Sequence, residues 1–526
     1  MDTFQRIKKQ EHTFARPLLP LLSKMIPSIP RLEDYDVSEA NGFLPSETPL
    51  EVLSDPYYKP WENVVRNLQG MILSRRIRAV VDNMPVLTTD NLQSEAEWRR
   101  AYVVLAFMAH AYVWGGDKPA ERVPPSISIP FTATCNRLEL PLVATYAAVV
   151  LWNYKPLFED EPIDNLENLM TLNTFTGSID ESWFYLVSVA IEARGAPIIP
   201  LMLHAIEAAR YNNADVVVEC LRSFAERLDE LGALLQRMYD QCDPHVFYHR
   251  IRPFLAGSKN MADAGLPNGV IFDTNNPDDH YVQYSGGSNA QSSIIQFFDL
   301  VLGIEHRPTG ETAPKNPHNP HSTSNTDPSA PAPSMQGPSA NFIHDMRTYM
   351  PGPHARFLQH VSTIANIRPY VTAHRHNRAL ATAYDACLAM LRAFRDKHIQ
   401  MVSRYIIVKS RESRSQSVSS ESAPSPAVNK MNIANASRNK NGANGEKGSL
   451  RGTGGTALIP FLKQARDETG EPAIDAWARR LLNNGPGGDR FARMGKIGEH
   501  ASGEMEIVGL AGVWSVDDSD GGICHW

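Results

Sequence analysis

The chain has 526 residues, with 51 Lys and Arg against 58 Asp and Glu, a formal charge of −7. That balance lacks the basic excess a nucleic-acid binder needs, and an apolar fraction of 42% supports a large core and excludes wholesale disorder. Length alone suggests about three domains, and 38 prolines exceed the usual ~5%, so extra linker is expected. In chain order, the first thirty residues have their apolar stretch broken by prolines and lack a signal-peptide layout. Apolar residues at three- and four-residue spacing predict helices over 98–114, 141–154, 182–194, 199–210, 214–241, 288–302 and 379–408. Asn213 suits an N-cap for the fifth of these. The best strand candidate is short, 269–272. The longest apolar runs, 101–114 and 140–152, fall short of a ~20-residue membrane span, so no membrane partner is expected.

Two tracts interrupt the helices. Residues 307–338 hold eight prolines, and residues 411–449 hold nine serines and six asparagines. Neither has the apolar side chains to offset chain entropy, so both are predicted to be disordered inserts. Cys135, Cys220, Cys242, Cys387 and Cys524 are odd in number and form no Cys-x-x-Cys pair, which fits neither a disulfide framework nor a zinc site; a cytoplasmic location is expected. The fold class that follows is all-α, with a small N-terminal domain over 1–175, a larger helical domain over 176–500 and a tail over 501–526.

The longest helical pattern, 378–408, carries an apolar face through Leu380, Tyr384, Cys387, Leu391 and Phe394, and then His398. A histidine on that stripe reads either as a core residue with a satisfied hydrogen bond or as a ligand to buried iron. Arg395, one turn earlier, could pair with a propionate or a carboxylate. The glycines and threonines of 452–456 suit a mobile lid or a simple hinge. No Walker loop, Gly-x-Ser-x-Gly elbow or His-Glu-x-x-His motif is present.

Several segments together resemble the indoleamine 2,3-dioxygenases. RDKHIQMVSRYI (395–406) is similar to that family's proximal-histidine helix, and GGSNAQSS (286–293) with Phe298-Asp299 and Leu302-Gly303-Ile304 to its glycine-serine signature. MRTYMPGPH (346–354), AYDAC (383–387) and GTGGT (452–456) follow in the family's order. The resemblance implies a two-domain helical haem enzyme with haem b, ferrous when active, ligated by His398. Asp299 and Arg395 would form the charged network behind that ligand, with Ser288 on the cofactor side. Tyr146, Val149, Phe184 and Ser188 would line the indole pocket, Phe247 would pack on the substrate ring, and Arg252 would grip its carboxylate. Gly287 and Thr453 would close over the amino-acid end.

The implied reaction inserts both atoms of O2 across the indole C2–C3 bond of L-tryptophan to give N-formylkynurenine, after a reductant has converted ferric to ferrous haem. Asn289-Ala290 stands where the family usually has Ala-Gly, Tyr248 where it often has phenylalanine, and Ala256 where it has serine. Those departures keep a different indole substrate open beside tryptophan, and the two polar tracts keep open a non-catalytic haem sensor.

Overall fold

In a computed structural model, residues 27–311, 341–412 and 458–484 are described, together with two strands near the C-terminus. The principal helices are α1 (Glu95–Trp114), α2 (Pro125–Leu138), α3 (Ile179–Gly195), α4 (Ile198–Arg210), α5 (Ala214–Gln236), α6 (Ser293–Leu302), α7 (Gly352–Ile364), α8 (Arg378–Val402), α9 (Leu458–Gly470) and α10 (Ala476–Asn484). The architecture is all-α, as expected.

Strands are short and peripheral. β1 (Arg122–Val123) runs parallel to β4 (Val270–Phe272), which pairs antiparallel with β5 (Tyr281–Val282). β2 (Tyr154–Pro156) and β3 (Leu169–Thr171) form an antiparallel pair, as do β6 (Met505–Gly509) and β7 (Gly512–Val516). The strand expected at 269–272 is β4.

Helix boundaries follow local chemistry. α1 begins with a capping box: the Ser94 hydroxyl accepts the Glu97 N–H, and the Glu97 carboxylate accepts the Ser94 N–H. Asn213 caps α5 through its side-chain oxygen, as anticipated. The helix expected over 141–154 is only a π-turn, Ala147–Leu151, running into β2. Asn153 closes it there, its amide donating to the carbonyls of Val149 and Asn173. The helix expected over 288–302 shortens to α6, because Ser288 and Ser292 are extended and bracket a single 3-10 turn. The 379–408 pattern divides into α8 and a π-turn, Ser403–Val408. The polar inserts and the 452–456 loop, Thr453 included, lie almost wholly outside the described residues.

The buried apolar side chains form one large connected cluster from Val37 to Leu482, with a small satellite around Val143, Met346 and Tyr349. α8 lies along α5 and also against α9. Leu380, Tyr384, Cys387 and Leu391 of α8 are fully buried, and the Tyr384 hydroxyl donates to the Leu302 carbonyl at 2.6 Å, joining α8 to the end of α6. Cys135, Cys220, Cys242 and Cys387 are buried free thiols. The α3–α4 stretch, Ile179–Arg210, is long and apolar enough to cross a membrane, a length the sequence reading missed; 83% of its most apolar window is buried inside the protein.

Asp385 of the AYDAC segment has a specific task. Its carboxylate accepts the backbone N–H groups of Ile474 (2.8 Å) and Asp475 (2.9 Å), fastening the turn before α10 to α8. Asp385→Ala leaves both donors without that acceptor and should cost about 1–3 kcal/mol. Hydrogen exchange should show the loss as faster exchange at Ile474 and Asp475, with α5 amides unchanged.

Candidate functional site

α8 carries His398 and Arg395 to the rim of a cavity of about 250 Å³. His398 lies deep in the protein, and the surface it retains faces that cavity. It has no hydrogen-bond partner among the described residues. Burial, and then the neighbouring Arg395 charge, lower its pKa to about 4. The imidazole is therefore neutral over the physiological range, with a nitrogen lone pair available to a metal.

Among the described residues there is no cluster of three or more His, Cys, Asp or Glu that could hold a metal ion. His398 could offer an iron the single imidazole that a haem site takes from the protein. The apolar walls, which include Phe184, Val149, Phe247 and Val402, suit such a group. The residues present fit haem.

Behind His398 sits a buried charge network. One Arg395 nitrogen donates to both Asp299 oxygens at 2.7 Å, and its other end reaches Thr469 of α9. His306 lies between two carboxylates, with Nε2 3.0 Å from Asp299 and Nδ1 2.7 Å from Glu468. Both ring nitrogens face acceptors, so both must donate and the ring is an imidazolium. Burial opposes that charge, but Asp299 and Glu468 outweigh it and raise the His306 pKa. Burial likewise works against ionised Asp299, yet Arg395 and His306 hold its carboxyl below the usual range.

The opposite wall comes from four segments. The π-turn supplies Tyr146 at its N-cap and Val149 within it, and α3 supplies Phe184 and Ser188 one turn apart. Another π-turn, Phe247–Ile251, delivers Phe247 and leads directly into Arg252. Single-turn π-helices of this kind recur at functional sites. The Phe184 and Phe247 rings lie 4.7 Å apart and tilted, and Phe247 meets Tyr405 edge-on at 5.6 Å. Arg252 is buried, with its guanidinium 5.7 Å from the centre of the Tyr248 ring.

The fourth segment is the GGSNAQSS loop. A Cβ on Gly286 would stand 2.1 Å from the Leu255 carbonyl, so only glycine lets this loop cross the chain that follows Arg252. Gln291 fixes the loop from the other side: its side-chain oxygen accepts the Tyr146 N–H at 2.9 Å, and its amide donates to the Gly286 carbonyl at 2.9 Å. Gly287, Ser288 and Asn289 consequently line the cavity.

Of the residues singled out from sequence, Tyr146, Val149, Phe184, Ser188, Phe247, Arg252, Gly287, Ser288, Asp299, Arg395 and His398 all border this one cavity. Thr453 lies outside the described residues. Sequence reasoning missed His306, Glu468 and Thr469, and the wall contributed by Phe461 and Leu462 of α9. It also missed Glu192, a buried carboxyl one turn beyond Ser188. His306 and Glu468 are 162 positions apart, so no local pattern announces their pairing.

A sequence profile of indoleamine 2,3-dioxygenase matches residues 31–472. The chain is 40% identical over 464 residues to an indoleamine 2,3-dioxygenase of Saccharomyces cerevisiae, covering 85% of this chain and 94% of that one. It is 36% identical over 440 residues to a 6-hydroxytryptophan 2,3-dioxygenase of Fusarium equiseti, covering 83% and 96%. It is also 32% identical over 444 residues to indoleamine 2,3-dioxygenase 2 of Mus musculus, covering 84% and 95%.

The His306 clamp makes a pH prediction. Its folded pKa is raised above the ordinary histidine value of about 6.5. The stabilisation is therefore full below the unfolded pKa and is lost as pH rises through the folded one. Urea midpoints taken from pH 6 to 9 should fall for the wild type through a component that His306→Gln lacks.

Proposed function

The chain belongs to the indoleamine 2,3-dioxygenase family, haem-dependent dioxygenases acting on indoles, and we propose that its own substrate is L-tryptophan, converted with O2 to N-formylkynurenine. The observation that carries this reading is His398, without a hydrogen-bond partner among the described residues, facing an apolar cavity whose far wall holds an aromatic pair and a buried arginine. Haem b, when bound, supplies the iron chemistry that activates dioxygen. Everything else is the work of side chains.

In this reading His398 is the single protein ligand to the iron, and Arg395 with Asp299 holds its helix turn and the propionate side, with Ser288 nearby. The tilted Phe184 and Phe247 rings receive the indole face. Arg252 holds the substrate carboxylate through charge-assisted hydrogen bonds, strong in so dry a site. Tyr146, Val149 and Ser188 limit the depth of the slot, and Gly287 and Thr453 bound the amino-acid end. No side chain here is needed as a strong base: the protein orients the substrate and excludes water. A reductant is needed to bring ferric haem to the ferrous state.

A second reading, a ring-substituted tryptophan, has one observation behind it. Asn289 brings a polar carboxamide to the cavity wall, where it could bond a ring hydroxyl.

Haem-loaded, reduced protein given L-tryptophan and air should form N-formylkynurenine, followed by its absorbance and by mass. His398→Ala should lose the haem spectrum of the ferrous protein, and a variant that kept it would refute the ligand assignment. Arg252→Ala should lower kcat/KM at least 100-fold, about 2.7 kcal/mol. Comparing tryptophan with 6-hydroxytryptophan in wild type and Asn289→Ala separates the two readings. If Asn289 selects a hydroxylated ring, the variant shifts the kcat/KM ratio towards tryptophan; if tryptophan is the native substrate, the ratio favours it already in the wild type.

A further inference from the structure

We infer that Glu192 is a positioning residue of this site, a buried carboxyl whose protonation state sets the Tyr146 and Ser292 hydroxyls in the cavity wall and, through them, the affinity for the substrate. Glu192 is completely buried on α3. Its Oε1 accepts the Tyr146 hydroxyl at 3.0 Å and the Ser292 hydroxyl at 2.6 Å. Its Oε2 is buried with no hydrogen-bond partner among the described residues. Tyr146 and Ser292 both border the cavity, while Glu192 stands behind them.

The asymmetry of the two oxygens decides the protonation state. A carboxylate with one oxygen bare in an apolar interior is costly; the neutral acid, with its O–H on Oε2, leaves a donor unmet but removes the larger cost of a buried charge. Burial raises the Glu192 pKa to about 7, against the pull of the Ser292 and Tyr146 hydroxyls. Among the described residues no charged side chain acts on it: Arg252 on one wall and Asp299 with Arg395 on another do not contribute. Tyr146 faces it from the π-turn and is itself held far above its ordinary range by burial, then by Glu192. It therefore stays a hydroxyl donor throughout.

Loss of the Glu192 proton has a definite consequence. The charged form binds the Tyr146 and Ser292 hydroxyls more tightly than the neutral acid does. Both hydroxyls are thereby withdrawn from the substrate, and its affinity falls as pH rises through neutrality. This inference rests on the cavity being the tryptophan site.

The test uses the full-length, haem-loaded protein. Tryptophan affinity is read from the haem absorbance of the ferric form, and KM and kcat from turnover, between pH 6 and 8. In wild type Kd and KM should rise about tenfold over that span, the change in protonated fraction for a group titrating near 7, with kcat little altered. Glu192→Gln, which keeps an oxygen for Tyr146 but cannot ionise, should flatten the rise. Tyr146→Phe removes a bond that favours the ionised form and should move the inflection to higher pH.

Infrared difference spectra across the same range supply a readout independent of substrate: a protonated-carboxyl band lost on going to pH 8, and absent in Glu192→Gln. An inflection unchanged in Glu192→Gln, or a band that persists in it, overturns the inference. A wild type that shows the band but binds no tryptophan at any pH refutes the substrate reading and leaves the Glu192 assignment supported.

Discussion

Asp299 is a carboxylate taken out of water where three distant stretches of chain meet. It belongs to α6, its Arg395 partner to α8, and its His306 partner to the segment after α6, which is bonded in turn to Glu468 of α9. An unpaired buried charge costs several kcal/mol, so none of these elements can move far without exposing another's charge. That mutual requirement holds α9 across the cavity beside His398, where Phe461 and Leu462 complete the apolar wall. It also explains why His398 needs no hydrogen bond of its own for orientation: the turn that carries it is fixed through Arg395.

The two sides of the cavity solve opposite electrostatic problems. Behind His398 the charges are many and paired, with Asp299 and Glu468 set against Arg395 and His306, so the local field is nearly balanced. Across from it the polar groups are hydroxyls, the Asn289 carboxamide and, behind them, a carboxyl whose pKa burial raises to about 7, and Arg252 brings a positive charge to that wall. A guanidinium in a dry slot suits the carboxylate that the proposed substrate would bring. The apolar surroundings that sharpen this recognition also push the His398 proton off, leaving a neutral ligand nitrogen. One dry environment thus serves both the cofactor side and the substrate side.

Much of this was legible in the sequence because it is local. The apolar stripe through Leu380, Tyr384, Cys387 and Leu391 predicted α8 and put His398 on its buried face; Asn213 announced the start of α5. Resemblance across ordered short segments then singled out the cavity residues, eleven of which meet at one place. What stayed hidden is non-local or conformational. His306 and Glu468 find each other only through the path of α9. Glu192 gave no signal in the sequence, because the burial of α3 is a property of its neighbours. The Ala147–Leu151 π-turn carries helical spacing without helical length, so 141–154 read as a full helix although Asn153 stops it.

The departures from the family pattern also divide once their surroundings are known. Tyr248 is fully buried under the Arg252 guanidinium, outside the cavity lining. Its ring face attracts the cation as a phenylalanine would, so a change there acts on how Arg252 is held and leaves the indole slot alone. Asn289 is exposed at the cavity wall, on the loop that Gly286 and Gln291 pin against Tyr146. Its carboxamide is free to meet a ring substituent, and its loop cannot retreat, since Gly286 already sits against the Leu255 carbonyl. On the proposed reading, any narrowing of substrate choice peculiar to this chain would therefore fall on Asn289, and carboxylate recognition would stay with the Arg252–Tyr248 pair.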